Sequence, residues 1–123
     1  MEYAIPCEQK SEQNIEEEKL IHIETSEQRE DIIKNNDIVI IKYSADWCGP
    51  CKKIQPFYEE MCANTKGCKF LSEDVDDELE GWGCEISSIP VFHIYKNGNF
   101  DQSIGGDLEQ LQSIITELKI KTE

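Results

Sequence analysis

The sequence predicts an α/β fold in which a mixed sheet of about five strands is flanked by four helices. Short apolar runs rich in β-branched residues alternate with helical stretches along the chain, a pattern that is typical of layered α/β domains. The Asn97-Gly98 pair between the last two apolar runs favours a type I′ hairpin, so those two strands must be antiparallel. The chain has 123 residues, enough for one domain with its own core. The predicted element order is βαβαβαββα.

An acidic segment precedes this pattern. Residues 1–18 contain six glutamates, one lysine and only scattered apolar residues, which is too little apolar surface to stabilise an ordered structure. We therefore expect a flexible acidic N-terminal tail over residues 1–18 and a folded domain over residues 19–123.

The domain is predicted to begin with a short strand over residues 20–23. Thr25 or Ser26 is a suitable N-cap for the next helix, because a hydroxyl oxygen accepts a hydrogen bond from a free backbone N–H, and the helix should end near Asn35. The nearly continuous apolar run over residues 38–43 is typical of a central strand that is buried on both faces.

The middle of the chain predicts a helix, a strand and a weaker helix. The helix over residues 51–64 contains Pro56, which removes one backbone hydrogen bond. The strand follows over residues 69–75. Residues 76–85 are at best a weak helix, because two glycines flank Trp82 there, and we expect Trp82 to be a packing residue.

The last part of the chain predicts a hairpin and a final helix. The two strands cover residues 91–95 and 100–104, and a pair of glycines ends the second strand. Asp107 is a suitable N-cap for the helix after them. Apolar residues recur on one face of that helix, namely Leu108, Leu111, Ile114, Ile115 and Leu118.

The formal net charge of −14 disfavours two classes of partner. Nucleic acids and anionic membranes would both have to approach this chain against like charge, so neither is expected to bind. We also find no apolar run near the roughly 20 residues that cross a bilayer and no secretory signal pattern. The expectation from composition is an intracellular protein that acts on other proteins or on small molecules.

Two cysteines with a spacing suited to redox chemistry, Cys48 and Cys51, lie where the second strand should end and the second helix begin. A helix N-terminus has unpaired N–H groups and a partial positive charge, both of which stabilise a thiolate. We therefore expect the pKa of the Cys48 thiol to fall from about 8.5 toward about 7, whereas Cys51 should be more buried and protonated. Since a thiolate is the attacking species in disulfide exchange, Cys48 is the predicted nucleophile.

The remaining cysteines show no paired spacing and indicate neither a disulfide framework nor a four-ligand zinc site. His22 and His93 are isolated, so they do not complete a metal site either. We expect these cysteines to be free thiols that pack as small hydrophobic groups. The alternative is a regulatory disulfide or a dimer link that involves Cys62, Cys68 or Cys84. The four residues concerned are Cys7, Cys62, Cys68 and Cys84.

Residues 20–119 carry several motifs that resemble the thioredoxin family. Pro56, the Asn97-Gly98 turn and Gly105 fall where that family has a helix kink, a hairpin turn and a groove glycine. Residues 88–92, which read Ser-Ile-Pro-Val-Phe, are similar to its cis-proline segment. The family's active-site motif is matched residue for residue by Trp47, Cys48, Gly49, Pro50, Cys51 and Lys52.

The resemblance implies a thioredoxin fold and a protein dithiol-disulfide oxidoreductase. Cys48 would attack a substrate disulfide and Cys51 would resolve the mixed disulfide, which releases a reduced substrate and leaves a Cys48-Cys51 disulfide. In the family the Gly49-Pro50 dipeptide accompanies a strongly reducing potential, so a reductase is favoured over an oxidase. The resemblance further implies a cytoplasmic monomer with no bound cofactor or metal, recharged by an NADPH-dependent thioredoxin reductase and acting on protein disulfides.

The resemblance also implies a substrate-binding surface around the two cysteines. Trp47 would cover one side of the site and contact the substrate chain, the alternative being a buried core aromatic residue. A cis Ile89-Pro90 peptide would leave the Ile89 backbone free to bind an extended substrate segment near Gly105. The alternative is an ordinary trans proline at the start of an edge strand.

One residue of the central strand departs from the family pattern. Thioredoxins usually have a buried aspartate where this chain has Lys42, behind the resolving Cys51. Burial of a lysine is unfavourable unless it is paired or neutral. Lys42 therefore either pairs with an acid on the neighbouring strand, Glu73 being the candidate, or stays neutral and acts as the base itself.

Because of Lys42 a second function stays open at this stage. The chain would then be a thioredoxin-fold protein-binding module with weak or no reductase activity, in which the Cys48-Cys51 pair is incidental or serves only for covalent capture. A zinc site built on these two cysteines is disfavoured, since Pro50 stiffens the loop and no second ligand pair is near in sequence.

Overall fold

The computed structural model describes residues 20–77, 86 and 88–122, and within them five strands form one sheet. The strands are β1 (Ile21–His22), β2 (Ile38–Ser44), β3 (Lys69–Asp74), β4 (Val91–Lys96) and β5 (Asn99–Gly105). The helices are α1 (Ser26–Lys34), α2 (Gly49–Asn64) and α3 (Leu108–Thr122), and a short 3-10 helix covers Val75–Asp77. The acidic tail predicted over residues 1–18 lies outside the described residues.

The number of α-helices is the one difference from the predicted architecture. Three α-helices are found in the described ranges, whereas four were predicted. Most of the weak helix expected over residues 76–85 falls outside those ranges, together with Trp82 and Cys84. The first residues of that stretch belong to the 3-10 helix Val75–Asp77 instead.

The sheet has the strand order β1-β3-β2-β4-β5. β3 pairs in parallel with both β1 and β2, while β4 is antiparallel to β2 and to β5, so the sheet is mixed as predicted. The hairpin between β4 and β5 turns through Asn97 and Gly98, whose φ angles of 54° and 85° are those of the expected left-handed turn. β2 is the central strand, and it ends at Ser44, so that three residues separate it from Cys48.

Capping residues fix the ends of two helices as the sequence predicts. The Thr25 hydroxyl oxygen accepts a hydrogen bond of 3.0 Å from the backbone N–H of Gln28 at the start of α1. The Asp107 carboxylate accepts two hydrogen bonds from the first turn of α3, from the N–H groups of Glu109 and Gln110. Each such cap stabilises a helix by about 1 kcal/mol.

The two faces of the sheet pack against different helices. Successive side chains of β2 alternate between the faces, so Ile38 and Ile40 contact the core on the side of α2 and α3, whereas Val39, Ile41 and Tyr43 contact the core on the side of α1. By the same alternation the side chain of Lys42, which lies between Ile41 and Tyr43, is on the α2 side of the sheet.

The hypothesis that Lys42 pairs with Glu73 is wrong. In the observed register Lys42 lies opposite Ser72, and Glu73 lies opposite Tyr43, so the two charged side chains are on opposite faces of the sheet. A shift of one residue in register moves every side chain to the other face. The pairing partner of Glu73 is instead Arg29 of α1.

Arg29 and Glu73 form a fully buried ion pair between α1 and the sheet. Their Nε–Oε1 and Nη2–Oε2 distances are 2.9 and 3.1 Å, and neither side chain is exposed. This two-point geometry suits the planar guanidinium group. Burial disfavours the charged guanidinium, but the hydrogen bonds and negative charge of Glu73 outweigh it and raise the pKa of Arg29.

A buried histidine lies close to this ion pair. His93 of β4 is fully buried, and its ring makes edge contacts with Tyr43 and Phe100 at centroid distances of 4.7 and 5.3 Å. Burial disfavours the imidazolium form, which lowers the pKa of His93 from 6.5 to about 4 despite the opposing charge of Glu73. His93 is therefore a neutral part of the core at neutral pH.

His93 should make the stability of the fold depend on pH. Because the pKa of His93 is lower in the folded protein, the unfolded chain binds more protons than the folded one as the pH falls. The contribution of neutral His93 to the free energy of unfolding is therefore complete above about pH 6.5 and is lost as the pH falls toward 4. We expect this contribution to reach about 3 kcal/mol. Urea unfolding across this pH interval measures it, and His93→Phe should remove it. An unchanged pH dependence in His93→Phe would refute the role of this residue.

Candidate active site

The Cys48-Cys51 pair forms the first turn of α2 and is a disulfide in this structure. The two Cα atoms are 5.3 Å apart, and the residues are 5% and 2% exposed. Cys48 is the N-cap residue, with extended backbone angles (φ −90°, ψ 107°), and Gly49 and Pro50 are the first helical positions. Proline is suited to the start of a helix because its missing N–H needs no partner there.

The helix start is built to stabilise charge on the first sulfur. The Sγ of Cys48 accepts a hydrogen bond of 3.2 Å from the backbone N–H of Cys51. The first turn of α2 contains no acidic residue that would oppose a thiolate. In the reduced protein, both this N–H group and the helix dipole would favour a thiolate at Cys48.

Trp47 is an exposed aromatic residue directly before the nucleophile. It is 69% exposed, which excludes the alternative of a core aromatic side chain. Its indole Nε1 donates a hydrogen bond of 3.0 Å to Asp76, and the Asp74 carboxylate in turn accepts one from the Asp76 backbone N–H. The ring is therefore held beside the disulfide while its face stays open to solvent.

The Ile89-Pro90 segment lies next to the disulfide and its peptide bond is cis. Ile89 packs against the small cluster formed by Ala45, Cys48 and Cys51. The trans alternative is thus wrong, and Ile89 is adjacent to the reactive sulfurs as the resemblance implies.

The glycines after β5 approach this segment closely. A methyl group at Gly106 would lie 2.6 Å from the Cγ of Pro90, whereas one at Gly105 would meet nothing within 4 Å. Gly105 is paired with Val91 in the sheet and belongs to the same edge of the site. Gly106, which the sequence reasoning did not single out, is the residue that lets the chain lie against Pro90.

Lys42 is 1% exposed and lines the same cavity as Cys51. Its Nζ donates a hydrogen bond to Oε1 of Gln55, and the Nε2 of Gln55 donates one of 2.8 Å to Glu59. The ammonium group also lies 5.6 Å from the centre of the Tyr58 ring. Burial lowers the pKa of Lys42, and the charge of Glu59 opposes this effect.

A cavity of about 240 Å³ joins Lys42 and Cys51 to the surface. Its volume is sufficient for water molecules, and polar side chains in its lining offer them hydrogen-bond partners. The lining residues are His22, Lys42, Ser44, Ala45, Asp46, Cys51, Lys52, Gln55, Ser72 and Asp74.

Besides Gly106, the sequence reasoning missed two site residues, Gln55 and Asp76. Gln55 had a usable signal, because it follows Cys51 by one helical turn and must share its face of α2. Asp76 had none, since its contact joins the 3-10 helix Val75–Asp77 to Trp47, 29 residues earlier in the chain. Cys62 and Cys68 are buried in the core away from this site, and Cys7 and Cys84 are not among the described residues.

Comparison with known proteins identifies the relatives of this site. The family model of thioredoxin matches residues 19–119. This chain belongs to the thioredoxin family. It is 40% identical over 99 residues to thioredoxin 1 of Plasmodium falciparum, a match that covers 78% of this chain and 95% of the relative. It is 36% identical over 101 residues to rat thioredoxin, with 80% and 96% covered.

Solved thioredoxin structures share the fold. The Plasmodium falciparum thioredoxin structure superposes with a TM-score of 0.69 at 32% identity, covering 79% of this chain and 97% of that one. Schistosoma mansoni thioredoxin gives a TM-score of 0.72 at 30% identity, with 81% and 95% covered. The predicted thioredoxin fold is confirmed.

The family and the site together assign the chemistry. Membership of the thioredoxin family and the Cys48-Cys51 disulfide at a helix start make this chain a dithiol-disulfide oxidoreductase of the protein-disulfide reductase type. The alternative of a binding module without redox activity is not favoured. No group of three or more metal-binding side chains occurs in the described ranges. None of the helices seen there is long and apolar enough to cross a membrane.

Proposed function

We propose that this chain carries electrons from an NADPH-dependent thioredoxin reductase to disulfides of other proteins, and that it does so as a cytoplasmic monomer. The observation that carries the proposal is the Cys48-Cys51 disulfide at the start of α2, beside the cis Ile89-Pro90 segment. A structure similar to this chain, with a TM-score of 0.71 and 27% identity, concerns the resolving of a yeast mitochondrial 1-Cys peroxiredoxin through glutathione and thioredoxin systems. Peroxidases with an oxidised cysteine are therefore one substrate class to test.

The proposed catalytic cycle uses the two cysteines in turn. The Cys48 thiolate attacks one sulfur of the substrate disulfide, forming a mixed disulfide and releasing the other substrate sulfur as a thiolate. Cys51 then attacks Cys48, so the Cys48-Cys51 bond forms and the second substrate sulfur leaves. Two electrons pass to the substrate, whose sulfurs take up protons from water.

The substrate is proposed to bind across the surface formed by Trp47, Ile89, Pro90 and Gly105. The exposed Trp47 ring offers an apolar face beside Cys48. Pro90 lacks an N–H, so it leaves the Ile89 backbone as the hydrogen-bonding group for an extended segment. Main-chain recognition of this kind tolerates different substrate sequences, which suits a general reductase.

Removal of the Trp47 ring should weaken substrate binding more than the chemistry. We expect Trp47→Ala to raise KM for a protein disulfide about tenfold, because an aromatic contact of about 1.4 kcal/mol is lost. Reduction of a small disulfide should change much less. Phe57→Ala is the matched control, since Phe57 is also an exposed aromatic residue, 59% accessible, but lies further along α2. A lower kcat with unchanged KM would contradict the binding role.

The electron source can be tested with a coupled assay. Thioredoxin reductase, NADPH and insulin are mixed with this chain, and NADPH oxidation is followed. We expect turnover that depends on all four components. Insulin reduction with dithiothreitol but not with NADPH and the reductase would retain the disulfide chemistry and reject the proposed donor.

A further inference from the structure

Lys42 places a positive charge behind the second cysteine of the pair. It is the buried charged residue that lines the same cavity as Cys51. The other titratable groups that line this cavity come from β1, the loop after β2, α2 and β3, and each lies at least partly in contact with solvent. They are His22, Asp46, Lys52 and Asp74.

Because Lys42 is buried, its charge should act more strongly on Cys51 than the charges of the partly or fully solvent-exposed groups around the cavity. Water and salt screen charges at the surface, whereas a buried charge interacts through a medium of lower dielectric constant. Glu59 is exposed and acts on Lys42 through Gln55. The negative charge of Glu59 favours the ammonium form of Lys42, and we take the field of Lys42 at Cys51 to be that of a cation.

Gln55 holds this cation on the Cys51 side of the strand. Its carbonyl oxygen accepts the hydrogen bond from Lys42, and its own amide is fixed by donation to Glu59. Gln55 and Cys51 are four residues apart in α2, so they lie on the same face of the helix. The tether therefore holds the Lys42 ammonium group one helical turn after Cys51, on the same face of α2 and in the cavity that Cys51 also lines.

We propose that Lys42 is a positioning residue whose ammonium group stabilises the Cys51 thiolate while it resolves the mixed disulfide. The inference rests on the disulfide reduction assigned to the pair. In this step the Cys51 thiol gives its proton to water in the cavity, and its sulfur attacks Cys48. The Cys48-Cys51 bond forms as the bond from Cys48 to the substrate sulfur breaks, and that sulfur leaves with the electron pair.

The test measures the titration of the Cys51 thiol directly, without catalytic turnover. In a reduced Cys48→Ser variant, the rate of Cys51 alkylation by iodoacetamide is followed against pH, with peptide mass spectrometry to separate Cys51 from the other cysteines. Adding Lys42→Met should move the midpoint of this profile up by about one pH unit, so alkylation near pH 7 slows about tenfold. Methionine fills the site of the lysine side chain without its charge.

Two further variants make the result decisive. Lys53→Met removes an equal charge from the exposed side of α2 and should leave the midpoint unchanged. If Lys42→Met does not fold, Lys42→Gln tests the same loss of charge and should also raise the midpoint. An unchanged or lower midpoint in the Lys42 variants would overturn the proposal, even if the protein still reduces insulin. A raised midpoint together with a loss of insulin reduction would still support the role of Lys42 at Cys51.

Discussion

Replacement of Cys48 by serine is expected to lower the rate of insulin reduction by at least about a thousandfold, to the uncatalysed rate. Serine is close to cysteine in size, and its hydroxyl oxygen can replace the Cys48 Sγ as the capping acceptor at the start of α2, so the fold should be unaffected. The loss arises because no thiolate remains to attack the substrate disulfide. Insulin turbidity with dithiothreitol as the electron source gives the measurement.

Cys51→Ser should fail at the next step. Cys48 still attacks, but without Cys51 the mixed disulfide has no resolving thiol and should accumulate as a one-to-one adduct. Intact mass spectrometry detects that adduct, and peptide mapping should place it on Cys48. Cys62→Ser is a suitable control, because Cys62 is buried in the core cluster on the side of α2 and α3. Full activity in Cys48→Ser would contradict the assignment of the nucleophile.

Disruption of the buried Arg29-Glu73 pair is expected to have the largest effect on stability. Arg29→Met and Glu73→Met each leave a buried charge without its partner, which costs about 3–5 kcal/mol in other proteins. For a domain with a total stability of about 5–15 kcal/mol, this is a large fraction. Urea unfolding with an unchanged m-value measures the loss.

The double variant Arg29→Met with Glu73→Met measures the coupling energy between the two residues. Removal of both charges leaves no uncompensated group, so the double variant should be more stable than either single one. The contact of Arg29 with the exposed Glu30, at 3.3 Å, offers a control, and Glu30→Gln should cost less than about 1 kcal/mol. Losses that simply add in the double variant would contradict the coupling of Arg29 and Glu73.

The strand and helix positions were predictable because local chemistry sets them. The alternating or continuous apolar runs, the caps at Thr25 and Asp107 and the Asn97-Gly98 turn each act within a few residues. The nucleophile was equally accessible, since Cys48 needs only its place at a helix start. The family motif then added the cis peptide at Pro90, which no local spacing requires.

The contacts of Lys42 and Glu73 were not predictable to the same degree. They depend on the register between β2 and β3, and a shift of one residue exchanges the faces of the sheet. The sequence shows that Lys42 is a polar residue in an apolar strand. It does not show that Arg29, 44 residues before Glu73, is the partner of that carboxylate. Pairings between distant elements of this kind become clear only in three dimensions.

The reduction potential of the Cys48-Cys51 pair tests the assignment of a disulfide reductase most directly. The oxidised and reduced forms are equilibrated in glutathione buffers of known composition, and the fraction of each is measured by thiol labelling of these two residues. We expect a potential between about −280 and −230 mV, in the range of reducing proteins such as thioredoxin. A value near −180 or −120 mV, typical of an isomerase or an oxidase, would contradict the account.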